Sequence, residues 1–296
     1  MNLDELIERL KLQTTTESEV RRADLIREVI YKRVEEMLVW GKVIPTVNMP
    51  KPDLRFEFPS RIDVAGPIAP EAEAPSEVIT WSHVDVSLYD KYEGRFVITD
   101  MARAREQAAN EQYRLGVRRL AESMAKKEDE EIQTAVLAAA GNTVAATATW
   151  DSDTADPAGD MIKAIRAVLS ADDVTLDDMK NIVFVLPVNA YTEIMKLQEI
   201  HNIRTSLAQW MQETYGVKFL PTKTLDTDAV CLIGGADTGR HYVFRPPDVP
   251  LVEERRIPGV GQEYIVRRFF KTWIIPDSAD VSTSSKICKI TDVWSS

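Results

Sequence analysis

TWSHVDVSLYDKYEGRFVITDMARARE, Thr80 to Glu106, passes from strand to helix within one continuous stretch. Trp81, Val84, Val86 and Leu88 mark a returning strand, and a second short strand leads through Thr99-Asp100, where Asp100 can cap a helix. From Met101 to Ala140 there is no proline and one glycine, Gly116, among many strong helix formers. That predicts one helix of about 40 residues, about 60 Å long, stopped at Gly141. Its apolar stripe, Met101, Ala104, Ala108, Leu115, Leu120 and Met124, is narrow, while Arg103, Arg105, Glu111, Arg118 and Arg119 coat the rest. Such a helix reads as a strut rather than the centre of a core.

Upstream of this stretch the chain is extended. Seven of the fifteen prolines (45, 50, 52, 59, 67, 70, 75) fall between Pro45 and Pro75, which excludes helix and the middle of a sheet. The flanks alternate, with Leu54, Phe56 and Phe58 pointing one way and Arg55 and Glu57 the other. A long projecting β-hairpin follows. A two-stranded ribbon is marginal in water by itself, so its aromatics need cover from elsewhere. Before it, Ile26, Val29, Ile30, Val34, Met37 and Leu38 recur at helical spacing, behind a shorter stripe of Leu3, Leu6, Ile7 and Leu10. This N-terminal helical arm has nine acids and seven bases in its first 40 residues, a poor composition for neutralising phosphate.

Downstream, Pro157 starts a helix whose buried face is Met161, Ile162, Ile165, Val168 and Leu169. Asn181 to Leu186 reads as a buried strand, followed by helices near 190–199 and 205–215. After Gly216 the pattern turns to β, at 229–233, 241–245, 251–256, 263–275 and 286–293. The class is α+β.

Motifs of catalysis or cofactor binding are not found. The glycines at 234, 235 and 239 fit a turn between strands rather than a phosphate loop, and no GxSxG occurs. His83, His201 and His241 are too scattered for a ligand pair and read as surface or strand residues. Asp151, Asp153, Asp156 and Asp160 lack the glycine and glutamate of a calcium loop. Cys231 and Cys288 read as small buried hydrophobes. No catalytic residue, cofactor, metal, secretory signal or membrane span is read from the chain, whose formal charge is −11. What stands out is architecture.

The order of these elements resembles the Hong Kong ninety-seven fold of tailed-phage major capsid proteins, which encapsulin shells share. The likeness is carried by Thr80 to Glu106, by NIVFVLPVNAYTEIMKL (Asn181 to Leu197) and by RFFKTWIIPDSADV (Arg268 to Val281). The resemblance implies an N-terminal arm (1–45), an extended loop (46–98), a discontinuous peripheral domain (99–180 with the spine helix, and 251–296) and an axial domain (181–250). It implies a structural, non-enzymatic subunit of which many copies self-assemble into an icosahedral shell. The shell would hold double-stranded DNA without sequence-specific contact, in a virion assembled in the host cytoplasm. A cytoplasmic encapsulin around a cargo enzyme is the alternative, and a soluble α+β enzyme or ligand-binding protein is a rival from another class. Some relatives crosslink lysine to asparagine; Lys51 lies in the loop, but no asparagine follows Asn202. The scaffolding extension of some members is expected to be missing.

Expected subunit contacts follow. Ile26, Val29, Ile30 and Met37 of the arm, with Leu54, Phe56 and Phe58 of the loop, are expected to be buried on neighbouring copies. Residues 46–100 carry ten acids against five bases, so Glu71, Glu73 or Glu77 are expected to meet Arg255, Arg256, Arg267 or Arg268 across a subunit boundary. Deleting residues 1–40 is expected to abolish shells and leave a folded peripheral domain.

Overall fold

A computed structural model describes residues 29–49, 51, 53–59, 81–87, 90–171, 174–196, 206–245, 251–278 and 281–295. Residues 29–37 are helical (α1). The strands β1 (Thr46–Met49), β2 (Asp53–Pro59), β3 (Trp81–Ser87) and β4 (Lys91–Thr99) follow. Then come a single helical turn α2 (Asp100–Arg103), the spine helix α3 (Glu106–Ala138), β5 (Ala140–Ala145) and α4 (Pro157–Leu169). Beyond them lie β6 (Ile182–Pro187), α5 (Val188–Lys196), α6 (Leu207–Tyr215), β7 (Lys218–Thr222) and β8 (Ala229–Ile233). β9 (Gly239–Phe244), β10 (Val252–Ile257), β11 (Gly261–Ile274) and β12 (Ser284–Thr291) complete the chain.

The first sheet is organised around β11, whose 14 residues serve three partners. β10 and β4 flank its first part on opposite edges, β9 pairs with its last part, and β1 adds to β9 in parallel. The second sheet runs β5-β12-β8-β6-β7. Its central strands are apolar on both faces, as a doubly covered sheet requires. Ile182, Phe184, Leu186, Ala229 and Cys231 pack under α4, α5 and α6, while Val183, Val185, Val230 and Leu232 meet Trp40, Ile44 and the end of the spine helix at Ile132 and Val136. β2 and β3 form a separate ribbon.

The sheets regroup the chain against the expected domain boundaries. β5 and β12 share a sheet with β6–β8, and β9 pairs with β11. Boundaries drawn in chain order miss this, because strand pairing is non-local. The helix also departs from expectation at both ends. Thr99, not Asp100, is the cap, its hydroxyl accepting the Ala102 N–H at 3.2 Å. The helix breaks at Ala104-Arg105 before α3 begins, with Arg105 in an extended conformation. Gly141 lies within β5 rather than ending the helix; a Cβ there would stand 2.7 Å from the Ser284 carbonyl oxygen, so the close approach of β12 requires glycine.

The spine helix buries more than a narrow stripe. Tyr113, Val117, Leu120, Ala121, Met124, Ala125, Ile132 and Val136 face the core, whereas Met101, Ala104 and Leu115 of the expected stripe are exposed. α4 matches its expected face at Met161, Ile165 and Val168, with Asp156 capping it through the Gly159 N–H. No helix among the described residues is long and apolar enough to cross a membrane.

Candidate assembly surfaces and a buried charge cluster

The expected contact residues separate into four groups, the arginines last. Ile26, Glu71, Glu73 and Glu77 lie outside the described residues, as does the side chain of Leu54. Val29 and Ile30 are buried in the subunit's own core with Leu120, Tyr264 and Val266, and Met37 packs against the same cluster. Their apolar surface is therefore already covered within the chain, where α1 fills the space over the first sheet. Phe56 stacks on Trp273 at 3.7 Å between ring centroids, with Phe58 tilted toward the same indole at 6.4 Å. The ribbon thus seats its aromatic face on its own first sheet. Its opposite face holds the exposed Arg55–Asp85 ion pair, and Trp81 at its end is 63% exposed.

Adjacent residues on a strand point to opposite faces, so each arginine pair splits. Arg255 is exposed, and Arg256 pairs with Asp100, its Nη2 2.9 Å from Oδ2. Arg267 donates to Glu93 at 2.9 Å and to Glu253 at 2.6 Å on one side of β11. Lys91, Arg267 and Arg95 together hold the Glu93 carboxyl at about 2. Arg268, 1% exposed, points inward. Its expected role at a boundary with another copy is corrected by this burial, since the guanidinium is enclosed inside the subunit and paired there with Glu128.

That inward side holds the most polar part of the core. Arg268 Nη2 donates to Glu128 Oε1 at 2.8 Å, and its Nε lies 2.7 Å from Oε2. The guanidinium also covers the Tyr31 ring at 4.7 Å, joining α1 to the pair. His241 on β9 is fully buried, with Nε2 2.8 Å from Glu128 Oε1 and Nδ1 2.9 Å from Thr272 Oγ1. Thr272 in turn gives both its hydroxyl and its N–H to Glu131, on the β4 side of β11 past the point where β4 starts. The neighbouring carboxylate, Asp129, accepts the N–H groups of Val39 and Trp40 at 3.1–3.2 Å. Three acids on one stretch of the spine helix thereby hold α1, its following turn, and two strands. Burial pushes the Asp129 carboxyl up. Burial acts the same way on Glu128, but the His241 hydrogen bond and the Arg268 charge overcome it and hold that carboxyl below its ordinary value.

From spacing alone His241 reads as a surface or strand histidine, and the structure instead buries it against Glu128. A signal existed, since Glu128 continues the core-facing series of Val117, Ala121 and Met124 at helical spacing, and an acid at a core position needs a partner. No cluster of His, Cys, Asp and Glu able to hold a metal occurs among the described residues. Cys231 and Cys288 face each other in register on β8 and β12, both free and buried; burial pushes the Cys288 thiol to about 11.

The family described as phage capsid protein matches residues 90–273, a span that begins just before β4 and ends near the close of β11. The chain belongs to the phage capsid protein family. This capsid subunit is a structural shell protein and not an enzyme. Comparison with curated proteins gives no match. Among solved structures, a virus-like particle from Pyrococcus furiosus is similar with a TM-score of 0.65 at 11% identity, covering 90% of this chain and 97% of that one. The capsid of a native GTA particle is similar at 0.61 and 13%, covering 86% and 90%. A Mycobacterium phage Che8 structure follows at 0.59 and 14%, covering 83% and 86%. These likenesses establish the Hong Kong ninety-seven-type capsid fold.

Apolar surface is exposed near the α2 corner. Asp100 N–H bonds the Val260 carbonyl at 3.0 Å, which sets Met101 (83% exposed) beside Val260 (48%). An open groove of about 360 Å³ lies between β4 and the spine helix, lined by Arg95, Phe96, Leu115, Arg119 and Leu120.

Proposed function

We propose that many copies of this chain tile an icosahedral shell around double-stranded DNA, as a major capsid protein assembled in the host cytoplasm. The observation that carries this reading is the family match over residues 90–273, the span holding the spine helix and most of both sheets. The DNA is held without sequence-specific contact, and with a formal charge of −11 the shell does not neutralise it. The extended loop, residues 46–98, reaches a neighbouring copy, bringing Glu71, Glu73 or Glu77 to its exposed Arg255; Phe56 and Phe58 set the angle at which the loop leaves. The exposed apolar residues Trp81, Met101, Leu115 and Val260 supply further contact area. The arm, loop, peripheral and axial parts keep their roles, with β5 and β12 contributing to the axial sheet and β9 to the peripheral one.

A cytoplasmic encapsulin shell around a cargo enzyme is a second reading, compatible with the likeness to the Pyrococcus furiosus virus-like particle. Electron microscopy of the purified chain tests assembly: uniform closed shells support the proposal and small oligomers refute it. Nuclease-resistant DNA in particles from infected or induced cells supports the virion, and a stoichiometric co-purified enzyme supports the second reading.

A further inference from the structure

Proton counting in the buried cluster gives a result that the shell function does not require. Glu128, His241, Thr272 and Glu131 form a chain of three contacts, at 2.8 Å, at 2.9 Å and at the Thr272 hydroxyl to Glu131. Each contact needs one hydrogen. Both ends are carboxylates, which only accept when ionised, so the hydrogens must come from the middle. A neutral imidazole brings one and the threonine hydroxyl a second. One contact would then set lone pair against lone pair at hydrogen-bond distance, beside a His241 and a Glu128 that are both fully buried.

We infer that the cluster binds one additional proton, carried by His241 as an imidazolium, and that this proton fastens the spine helix to β9 and β11. Both ring nitrogens then donate, Nε2 to Glu128 and Nδ1 to Thr272, leaving the threonine hydroxyl free to donate to Glu131. Charge balances as well: Arg268 and His241 face Glu128 and Glu131 as two cations and two anions. Without the proton these four groups carry a net negative charge, which is costly at the fully buried Glu128 and His241. The remaining neighbours do not supply a substitute. Asp129 is turned to the Val39 and Trp40 N–H groups, and Thr272 N–H already occupies Glu131 Oε1. Lys271 and Tyr92 lie near Glu131 on the β4 side; the Asp90 hydrogen bond raises the Lys271 ammonium and burial raises the Tyr92 phenol, so the first stays cationic and the second neutral over the range tested. Arg240, beside His241 on β9, is a permanent cation, as are Arg268 and Arg245 over Tyr31.

A folded chain that holds a proton its unfolded form releases is stabilised below the free imidazole value of about 6.5 and loses that stabilisation as pH rises. The geometry also names a variant that removes the need for the proton. In Glu131→Gln the amide oxygen can keep the Thr272 N–H while the amide nitrogen donates to Oγ1, so that the hydroxyl turns to a neutral His241 Nδ1.

Two measurements on the full chain test this. Nitrogen-15 spectra of histidine-labelled protein at about pH 7.5, with His241 assigned by its loss in His241→Gln, should show both ring nitrogens protonated, in contrast to a free imidazole of value about 6.5. A ring with one bare nitrogen overturns the inference, including the case where Glu131 holds the proton. Thermal melting from about pH 6 to about pH 9 should show a fall of several degrees in the wild type that Glu131→Gln lacks. Identical profiles for the two chains also overturn it. A failure to form shells would leave both readouts intact, so the test is independent of the proposed function.

Discussion

Arg268 and Glu128 are both at the bottom of the exposure range, 1% and 0%, and each is the other's main compensation. Glu128→Ala should therefore cost about 3–5 kcal/mol in denaturant unfolding, because it strands a buried guanidinium, whereas the double variant Glu128→Leu with Arg268→Met should lose less than the single one. A double variant worse than Glu128→Ala would contradict the pairing. Glu93 gives the opposite, acid-side signature. Its carboxyl sits at about 2 against an ordinary 4.5. A lowered acid contributes stability above the ordinary value and loses it as pH falls through the folded one, so a decline between about pH 4.5 and about pH 2 should shrink in Glu93→Gln, read by acid titration of the circular dichroism signal. At this scale the sequence was only partly legible. That Arg267 and Arg268 must part company is written in strand periodicity, but which one faces inward depends on β4 and the spine helix, both far away in the chain.

The spine helix shows how far an element can be read from its composition. Absence of proline and abundance of helix formers placed it within a few residues, and the α4 and β6 segments were equally plain from their apolar spacing. The buried face was harder, because polar residues occupy it: Glu128 and Asp129 sit in the core alongside Ile132. β1 and β7 escaped notice, since four or five residues with little alternation carry almost no periodic signal. Gly116 likewise read as a tolerated exception inside a helix. Its Cβ position is 2.4 Å from the Phe96 ring, which is stacked on Tyr264 at 5.0 Å between centroids and edge-on to Tyr113 at 6.1 Å. Alanine there gains about 1 kcal/mol of helix propensity, yet overpacking typically costs about 1–3 kcal/mol. Gly116→Ala should lower stability despite the better helix former, and a raised melting temperature would mean that the Phe96 ring moves aside freely.

For the whole molecule, the division between folding and assembly runs elsewhere than an amphipathic arm suggests. Val29, Ile30, Tyr31, Val34, Leu38 and Trp40 are each at most 5% exposed, and all belong to the two cores that the spine helix shares with the sheets. Burial of each large side chain contributes about 1.5–3 kcal/mol, so removing six of them takes away roughly 10 kcal/mol, as much as the entire stability of a typical domain. Deleting residues 1–40 should therefore yield a chain that neither assembles nor folds, with loss of cooperative melting, rather than the folded, assembly-defective domain expected from the sequence. Phe56→Ala should behave in the contrasting way. Phe56 sits between ribbon and sheet, stacked on a half-buried Trp273, and contributes an aromatic contact worth about 0.5–1.5 kcal/mol beyond its area. Its loss should leave cooperative unfolding in place with a small drop in melting temperature, while the ribbon loses its seat. Because a closed shell repeats one loop geometry in every subunit, a small loosening of that geometry is multiplied by the copy number, and the yield of closed particles in electron micrographs should fall far more than the monomer's stability does. Normal particle yield from Phe56→Ala would show that the loop's direction is set by its contacts on the neighbouring copy and not by Trp273.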